Sequence, residues 1–499
     1  MSAPAGTTPI DNTAATGTTP TTARTVEYQA PWIIAFQDGG HRLLRDGAVV
    51  VAGNEIVYVG ARDTFGADEV VRTRNVIAPG FISMHAHMQE SPADKNVAED
   101  FPKRSFYSSN LFEILPARSK ALTIDDAHTC ARVSVAEHLR TGTTTVMQMG
   151  NEAAYIAELC EEVGMRAYVS QSYRTGPWYT DNGRTVEYDF SGDGGKAAFE
   201  QAVSFALDHA NADNSALVTG FLNPSQVDTV TEELFRESRA VADAHGLMLQ
   251  THAAQSMNEF LEMTRRHGRT PIEWLADIGY LGERAIIGHG LFVTGSSWTN
   301  YAGDDIGLLA DSGTSVAYNP WVFARNGIVM ETFDRYRERG VPVTLGTDTT
   351  TQSMLHSTRW CSVITKVLEH NANAGNASAT FDAATIVAAD VLGRPDLGRI
   401  APGAKADLCF WRSDSHFMTP LRDPIRAIVY YAEAEDLEKV MVNGRFVMED
   451  GAVPGLDTVK DLELLQTAAE TMWANWQDVD WAGAPIDERV PMSFPSFTL

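Results

Sequence analysis

Between residues 81 and 346 the chain repeats one unit, a short apolar run of strand length followed by an amphipathic stretch of helix length. The apolar runs are Phe81–His87, Thr143–Gln148, Arg166–Ser172, Leu217–Leu222, Leu247–His252, Ala285–His289, Thr314–Tyr318 and Val343–Gly346. Helical patterns lie between several of them, over Ile124–Leu139, Glu152–Val163, Gly195–Ala210 and Thr231–Ala244. Strands that alternate with helices read as βα units and parallel pairing, and eight of them are the number that closes a (β/α)8 barrel. The fold class expected is therefore α/β, with a TIM barrel over residues 79–399.

Segments of a different character flank the barrel. Trp32–Phe36, Ala48–Val51 and Glu55–Val59 read as short strands, with Asp46-Gly47 and Gly53-Asn54 as turns. After Gly398 the β pattern returns in Asp407–Trp411, Ile428–Tyr431, Lys439–Val442 and Arg445–Met448, with Asn443-Gly444 as a hairpin turn. The expectation is a small β-sandwich domain assembled from both chain ends, 26–78 plus 400–455, into which the barrel is inserted. Residues 1–25, rich in Ala, Thr, Pro and Gly, are expected to be disordered. Residues 456–499 form a C-terminal extension whose Trp473, Trp476 and Trp481 predict packing on the barrel or on a neighbouring subunit.

Composition narrows the partners. With 39 Lys+Arg against 65 Asp+Glu the net charge is −26, which argues against nucleic acid or an anionic membrane as a partner. No apolar run approaches the ~18 residues of a membrane span, and no basic segment followed by an apolar core opens the chain. The four cysteines are scattered without CxxC spacing, so they read as reduced and buried, which suits a cytoplasmic enzyme. No GxGxxG follows a strand, which argues against a dinucleotide cofactor.

Metal-competent residues cluster at the carboxyl ends of the predicted strands. His85 and His87 close the first, and at i and i+2 they share one strand face. His252 closes the fifth strand, His289 the sixth, and Asp348 follows the eighth. In a TIM barrel that rim is where catalytic groups converge. Single histidines at strand ends are more often hydrogen-bonded structural residues, whereas four such segments in order are hard to reach by chance.

The motifs PGFISMHAHM, LQTHAAQ, IIGHG and LGTDTT, with the later GRIAPGAKADLCFW, resemble the amidohydrolase superfamily over roughly residues 28–455. The resemblance is to its cytosine-deaminase-like and triazine-hydrolase-like branch. It implies that His85, His87, His252 and Asp348 ligate one divalent metal, most simply zinc, with Fe(II), Mn(II) or Co(II) compatible. It also implies that His289 orients or polarises the substrate or the water, and that Asp348 carries the water proton. Three imidazoles and one carboxylate leave a position open for water, whose pKa such a metal lowers. Two-metal relatives bridge their ions with a carboxylated lysine on strand four. No lysine occurs between Lys196 and Lys366, so a single metal is expected. Oligomers are common among relatives, so a homo-oligomer of dimer size or larger is expected.

One departure from the family pattern bears on the reaction. Deaminases of this branch carry a glutamate three residues after the strand-five histidine as a proton shuttle, and here Gln255 stands there. An amide cannot take a proton from water and deliver it to a leaving amine, although it can hydrogen-bond a substrate. Glu259, a turn later, is expected on the next helix and too far away. Gln89, Tyr318, Asn319 and Trp321 are candidate pocket residues, and Gln171 and Tyr173 end the third strand. His356 is expected to be structural, and His128, His138, His209, His245, His267 and His370 to lie at the surface. The function expected is a metal-dependent hydrolase cleaving a C–N bond of a small nitrogen compound. Hydrolytic deamination of an amino-heterocycle and amide, urea or carbamate cleavage stand side by side. Removal of halide or another ring substituent is the alternative, and a non-catalytic scaffold the outsider, since scaffolds usually lose metal ligands that are all present here.

Overall fold

The computed structural model describes residues 23–100 and 111–497. The segment expected to be disordered, 1–25, lies almost wholly outside them, and its last residue, Thr25, already pairs with Ala52 in a strand. The strands in chain order are β1 (Thr25–Gln37), β2 (Gly40–Ala52), β3 (Glu55–Ala61), β4 (Glu69–Arg72), β5 (Val76–Pro79), β6 (Phe81–Ala86), β7 (Thr143–Gly150) and β8 (Arg166–Tyr173). There follow β9 (Trp178–Tyr179), β10 (Glu187–Tyr188), β11 (Val218–Gly220), β12 (Asn223–Pro224), β13 (Leu249–Ala253), β14 (Ala285–His289), β15 (Ser315–Tyr318) and β16 (Val343–Leu345). The last three are β17 (Leu408–Trp411), β18 (Leu437–Val442) and β19 (Arg445–Glu449).

Two parallel sheets, β6-β7-β8-β11 and β13-β14-β15-β16, make the central layer, with β12 pairing alongside β8. Isolated parallel bridges connect them at both edges, Leu222 with Leu249 on one side and Ala86 with Asp348 on the other. The parallel sheet thus curls back on itself, consistent with the expected barrel. Its interior packs Ile82, Met84, Met147, Met149, Tyr168, Phe221, Met248 and Ile286 together. The opposite faces pack on the surrounding helices through residues such as Val146, Val169, Leu249, Ile287 and Val316. Local signals start the helices: Thr123 and Asp126 form a capping box for the helix Ile124–Arg140.

Strands from the two chain ends form one continuous sheet, in the order β19-β18-β17-β5-β1-β2-β3, with β4 beside β1. It curves around a core of its own, where the Tyr28 ring meets Phe410 at 5.5 Å and Phe446 at 6.2 Å. The Asn443-Gly444 turn between β18 and β19 has both residues at positive φ, 51° and 78°, as a tight hairpin requires. A buried Arg166–Asp407 ion pair, 3.2 Å, ties this sheet to the barrel. The C-terminal helix Thr458–Ala474 packs Leu465 and Met472 against Cys130 and Val133, and Arg132 pairs with Asp461 at 2.7 Å.

Two expectations fail for local reasons. Ile428–Tyr431, a β-branched and aromatic run, lies almost wholly in the helix Pro424–Tyr430. There Asp423 accepts from the N–H groups of Ile425 and Arg426, and the proline takes the first turn, so capping overrides strand propensity. His138 is fully buried on the helix 124–140 rather than at the surface. All four cysteines are buried and free. Among the described residues no helix is long and apolar enough to cross a membrane.

Candidate metal centre and cavity

Strand β6 does not carry its histidines as a regular strand would. Its pairing with β7 slips between Ser83 and Ala86, and the strand ends at Ala86, so His87 lies beyond it. Such an irregularity re-aims side chains, and both imidazoles still reach one point. The N–H of His87 donates to the Asp348 carbonyl at 2.8 Å, which fixes the two segments together. Two glycines make room: a Cβ on Gly288 would meet His85 at 2.8 Å, and one on Gly346 would meet Asn319 at 2.4 Å and His85 at 2.8 Å. His289 and Asp348 hold φ of 90° and 59°, strained values for non-glycine residues that concentrate at functional sites.

Hydrogen bonds set the imidazole tautomers. His85 Nδ1 donates to Gln250 Oε1 at 2.5 Å, and Gln250 Nε2 donates to the Met84 carbonyl at 2.9 Å, which orients the amide. His87 Nδ1 donates to the Met149 carbonyl at 3.0 Å and His252 Nδ1 to the Ser225 carbonyl at 2.5 Å. Each ring therefore turns a bare Nε2 lone pair inward. The Nε2 atoms of His87 and His252 face each other at 3.0 Å, and His85 Nε2 is buried without a partner. Asp348 Oδ1 stands 3.7 Å from His87 Nε2 and 4.0 Å from His85 Nε2. Converging acceptors with no proton between them are costly in a buried site, and a cation relieves that cost. The groups His85–His87–Asp348 and His85–His252–His289 each have the spacing to hold a metal ion. His289 differs in tautomer. Its Nδ1 accepts from Asn319 Nδ2 at 2.9 Å, and the same amide nitrogen donates to the Ala317 carbonyl, so the His289 proton sits on Nε2.

Burial keeps the imidazoles neutral. It holds His87 down to about 3 and His252 to about 4, and it pushes His85 and His289 well below the usual histidine range. Burial also raises Asp348 to about 7, and a cation among the imidazoles would draw its carboxylate back to the ionised form.

A cavity of about 880 Å³ opens from this point. Its inner end carries His87, His252, Asp348, Gln89 and Gln255. Gln89 accepts from Gln148, and Gln255 is 5% exposed with a buried Oε1 that has no partner. Glu259, the third residue of the helix Met257–His267, does not line the cavity. Its carboxylate accepts from Ala254 N at 2.6 Å, Gln255 N at 3.2 Å and Gln226 Nε2 at 3.1 Å, and so fixes the turn that presents Gln255.

Tyr318, Asn319 and Trp321, expected to wall the pocket, do not line it. Pro320 starts a helix directly after β15, which turns Trp321 onto His356 and Trp360 and leaves the lining to Val322, Phe323, Arg325 and Asn326. The Tyr318 hydroxyl accepts from Met330 N, and Asn319 acts only through His289. Gln171 and Tyr173 both contribute to the lining. Sequence reading missed Gln250, although it lies two residues before His252 on the same strand face. It also missed Arg174, which follows Tyr173 into the cavity and whose side chain makes no ion pair or hydrogen bond among the described residues, and the Arg118–Glu90–Asp94 cluster at the outer end.

The chain is 29% identical over 432 residues to a 5′-deoxyadenosine deaminase of Methanothermobacter thermautotrophicus, covering 85% of this chain and 95% of that protein. It is 24% identical to a 5-methylthioadenosine/S-adenosylhomocysteine deaminase of Halothermothrix orenii, over 84% and 93%. In fold it is similar to a zinc-bound adenosine deaminase of Xanthomonas campestris, with a TM-score of 0.77, 21% identity, and 90% and 98% coverage. It is likewise similar to the atrazine chlorohydrolase TrzN of Arthrobacter aurescens TC1 complexed with zinc, with a TM-score of 0.72, 20% identity, and 89% and 100% coverage. Residues 76–447 match the Amidohydrolase family, and with that span and this rim of histidines the chain belongs to the amidohydrolase family, hydrolases of C–N bonds other than peptide bonds.

Proposed function

We propose that the protein is a single-metal hydrolase that deaminates an amino-substituted N-heterocycle of up to nucleoside size. The observation that carries this is the convergence of bare Nε2 lone pairs, those of His85 and His87 beside the Asp348 carboxylate and that of His252 against His87, at the inner end of a cavity of about 880 Å³. His85, His87, His252 and Asp348 are the residues that would hold the ion. Zinc suits the donor set best and is bound by two of the structural neighbours. Bound there, a divalent cation supplies Lewis acidity and brings the pKa of a water toward neutrality.

The chain's own groups do the rest. Among the described residues Asp348 is the one titratable carboxyl at the inner end, so its carboxylate accepts the proton released by the attacking water and returns it to the departing amine. The Nε2–H of His289 donates to the oxygen that adds to the ring, and Asn319 holds that proton on Nε2. The balanced reaction is ring C–NH2 plus water giving ring C–OH and ammonia, followed by tautomerisation to the oxo form. Gln255 and Gln89 hydrogen-bond the ring. The reading also takes 26–78 plus 400–455 as a β-sandwich domain and 79–399 as a (β/α)8 barrel, in a cytoplasmic homo-oligomer.

Gln255 favours a second reading. An amide at 255 cannot protonate a ring nitrogen, and cleavage of a cyclic amide, urea or carbamate needs no such step. An ammonia-release assay on adenosine-type nucleosides, free amino-heterocycles, cyclic amides and ureas decides between them. Turnover of amino-heterocycles, increased in Gln255→Glu, supports deamination, and turnover confined to amides and ureas defeats it.

A further inference from the structure

The geometry points to the C-terminal extension as a brace behind the active-site wall, with Trp481 as a positioning residue that contacts two of the segments lining the outer cavity. One of these segments runs from Leu111 to Lys120 and contributes Leu115, Arg118 and Ser119 to the lining. The other is the β9–β10 hairpin, which contributes Pro177, Trp178, Tyr179 and Asp189. They meet through the Phe112 and Trp178 rings, whose centres are 5.5 Å apart. Each has its own anchor to the molecule, Arg118 on Glu90 and Asp94 at 2.5 and 2.6 Å for the first and the N–H groups of Thr175 and Gly176 on the Thr229 carbonyl at 2.9 Å beside the second, and a contact that spans them sets their separation.

Trp481 meets both. Its Nε1 donates to Glu113 Oε1 at 3.1 Å, on the first segment. Its six-membered ring lies against the hairpin loop at Gly183, so close that a Cβ there would stand 2.5 Å from the indole. The contact therefore requires glycine at 183, whose φ of 61° is a second reason for it. Trp481 is itself held in place. Arg489 lies over the indole with its guanidinium carbon 4.9 Å from a ring centre, pairs with Asp480 at 2.7 Å and reaches Glu113 at 3.5 Å. Asp480 also accepts from the N–H groups of Ala482 and Ala484 at 2.9 and 3.0 Å. Behind this clamp Trp476 is fully buried against the helix Ile114–Ala121 side of the molecule. The far end of the hairpin is pinned independently, by the Tyr188 hydroxyl on Asp228 at 2.6 Å and by Arg266 stacked on the Tyr188 ring at 4.2 Å. The loop at Gly183 thus depends on Trp481, while the strands beside it do not.

None of these residues reaches the metal ligands, so their effect falls on whatever fills the outer cavity. A ligand confined to the inner end does not sense the separation of the two segments, and one that extends outward does. This part of the inference rests on the proposed function, whereas the bracing itself does not.

The test pairs hydrogen exchange with kinetics on the metal-loaded full chain. In Trp481→Ala, amides of residues 111–120 and 177–189 should exchange faster, with metal content unchanged. KM for 5′-deoxyadenosine should rise about tenfold while KM for adenine and both kcat values stay within about twofold. Trp481→Phe, which keeps the ring on Gly183 and loses the N–H, should restore most of the KM. Gly183→Ala, which presses on the indole from the other side, should shift KM the same way. Unchanged exchange in both segments overturns the inference, and so does an equal KM rise for adenine and 5′-deoxyadenosine. If the wild type releases ammonia from no probe, the proposed function falls, and the exchange measurement alone then decides the bracing.

Discussion

His252 and His138 are both deeply buried imidazoles, and burial holds both neutral, to about 4 and about 3. Their surroundings separate them. His252 Nδ1 is spent on the Ser225 carbonyl, which turns Nε2 toward His87 at 3.0 Å with Asp348 close by. Among the described residues His138 has no hydrogen-bond partner at either ring nitrogen, and it belongs to neither metal-competent group. Burial and a depressed pKa therefore do not mark a site. The mark is a second hydrogen bond that fixes the tautomer and aims the remaining lone pair where others converge.

Substitutions at the convergent histidines should produce the largest effects. His252→Ala should lose bound metal and at least ~10³-fold in kcat/KM, because the activated water goes with the ion. Chelation should do the same to the wild type, reversibly on adding zinc, as followed by metal analysis beside ammonia release. A chelated protein with undiminished turnover would remove the metal from the mechanism. A step smaller is Gln250→Leu. It leaves every ligand in place and deletes the acceptor for His85 Nδ1 along with the Nε2 bond to the Met84 carbonyl that orients it, freeing the His85 ring's tautomer and orientation. Outer partners of this kind are worth about 10–100-fold in metal affinity or activity. A competition titration with a chromophoric chelator reads it, and an unchanged metal affinity would show that the amide does not orient His85.

Much of this was legible in the sequence because period and order survive folding. Each of the eight predicted barrel strands overlaps an observed one, since apolar runs bounded by helices leave little choice. What was lost depended on geometry finer than period. Equal parity placed His85 and His87 on one strand face, whereas a register slip after Ser83 does the aiming. Tyr318-Asn319-Pro320-Trp321 looked like a wall, but the proline starts a helix that carries Trp321 away. Ile428–Tyr431 looked like a strand until Asp423 capped a helix there. Arg174 could not be found from pattern at all. One position past a strand end, a guanidinium enters a cavity or leaves it according to loop path, and sequence spacing does not encode that.

The smallest effect concerns His138, the buried ring outside the site. Its folded pKa is about 3 against an ordinary 6.5, so between those values the unfolded chain binds a proton that the folded chain refuses. The stability linked to this ring is complete above pH 6.5 and falls as pH drops below it, by at most about 1.4 kcal/mol per pH unit. His138→Leu has no such proton. It also removes two buried ring nitrogens that lack partners, so at pH 7.5 it should be no less stable than the wild type. From pH 6.5 to 4.5 the wild type should lose ground steadily to the variant. Buried carboxyls such as Asp305, raised to about 6 by desolvation, act in the opposite sense, but they are common to both proteins and cancel in the difference. Urea denaturation of the two metal-free proteins across that range measures it. Parallel stability curves would mean that His138 finds a proton or a partner in the fold, and the contrast with His252 would then rest on convergence alone.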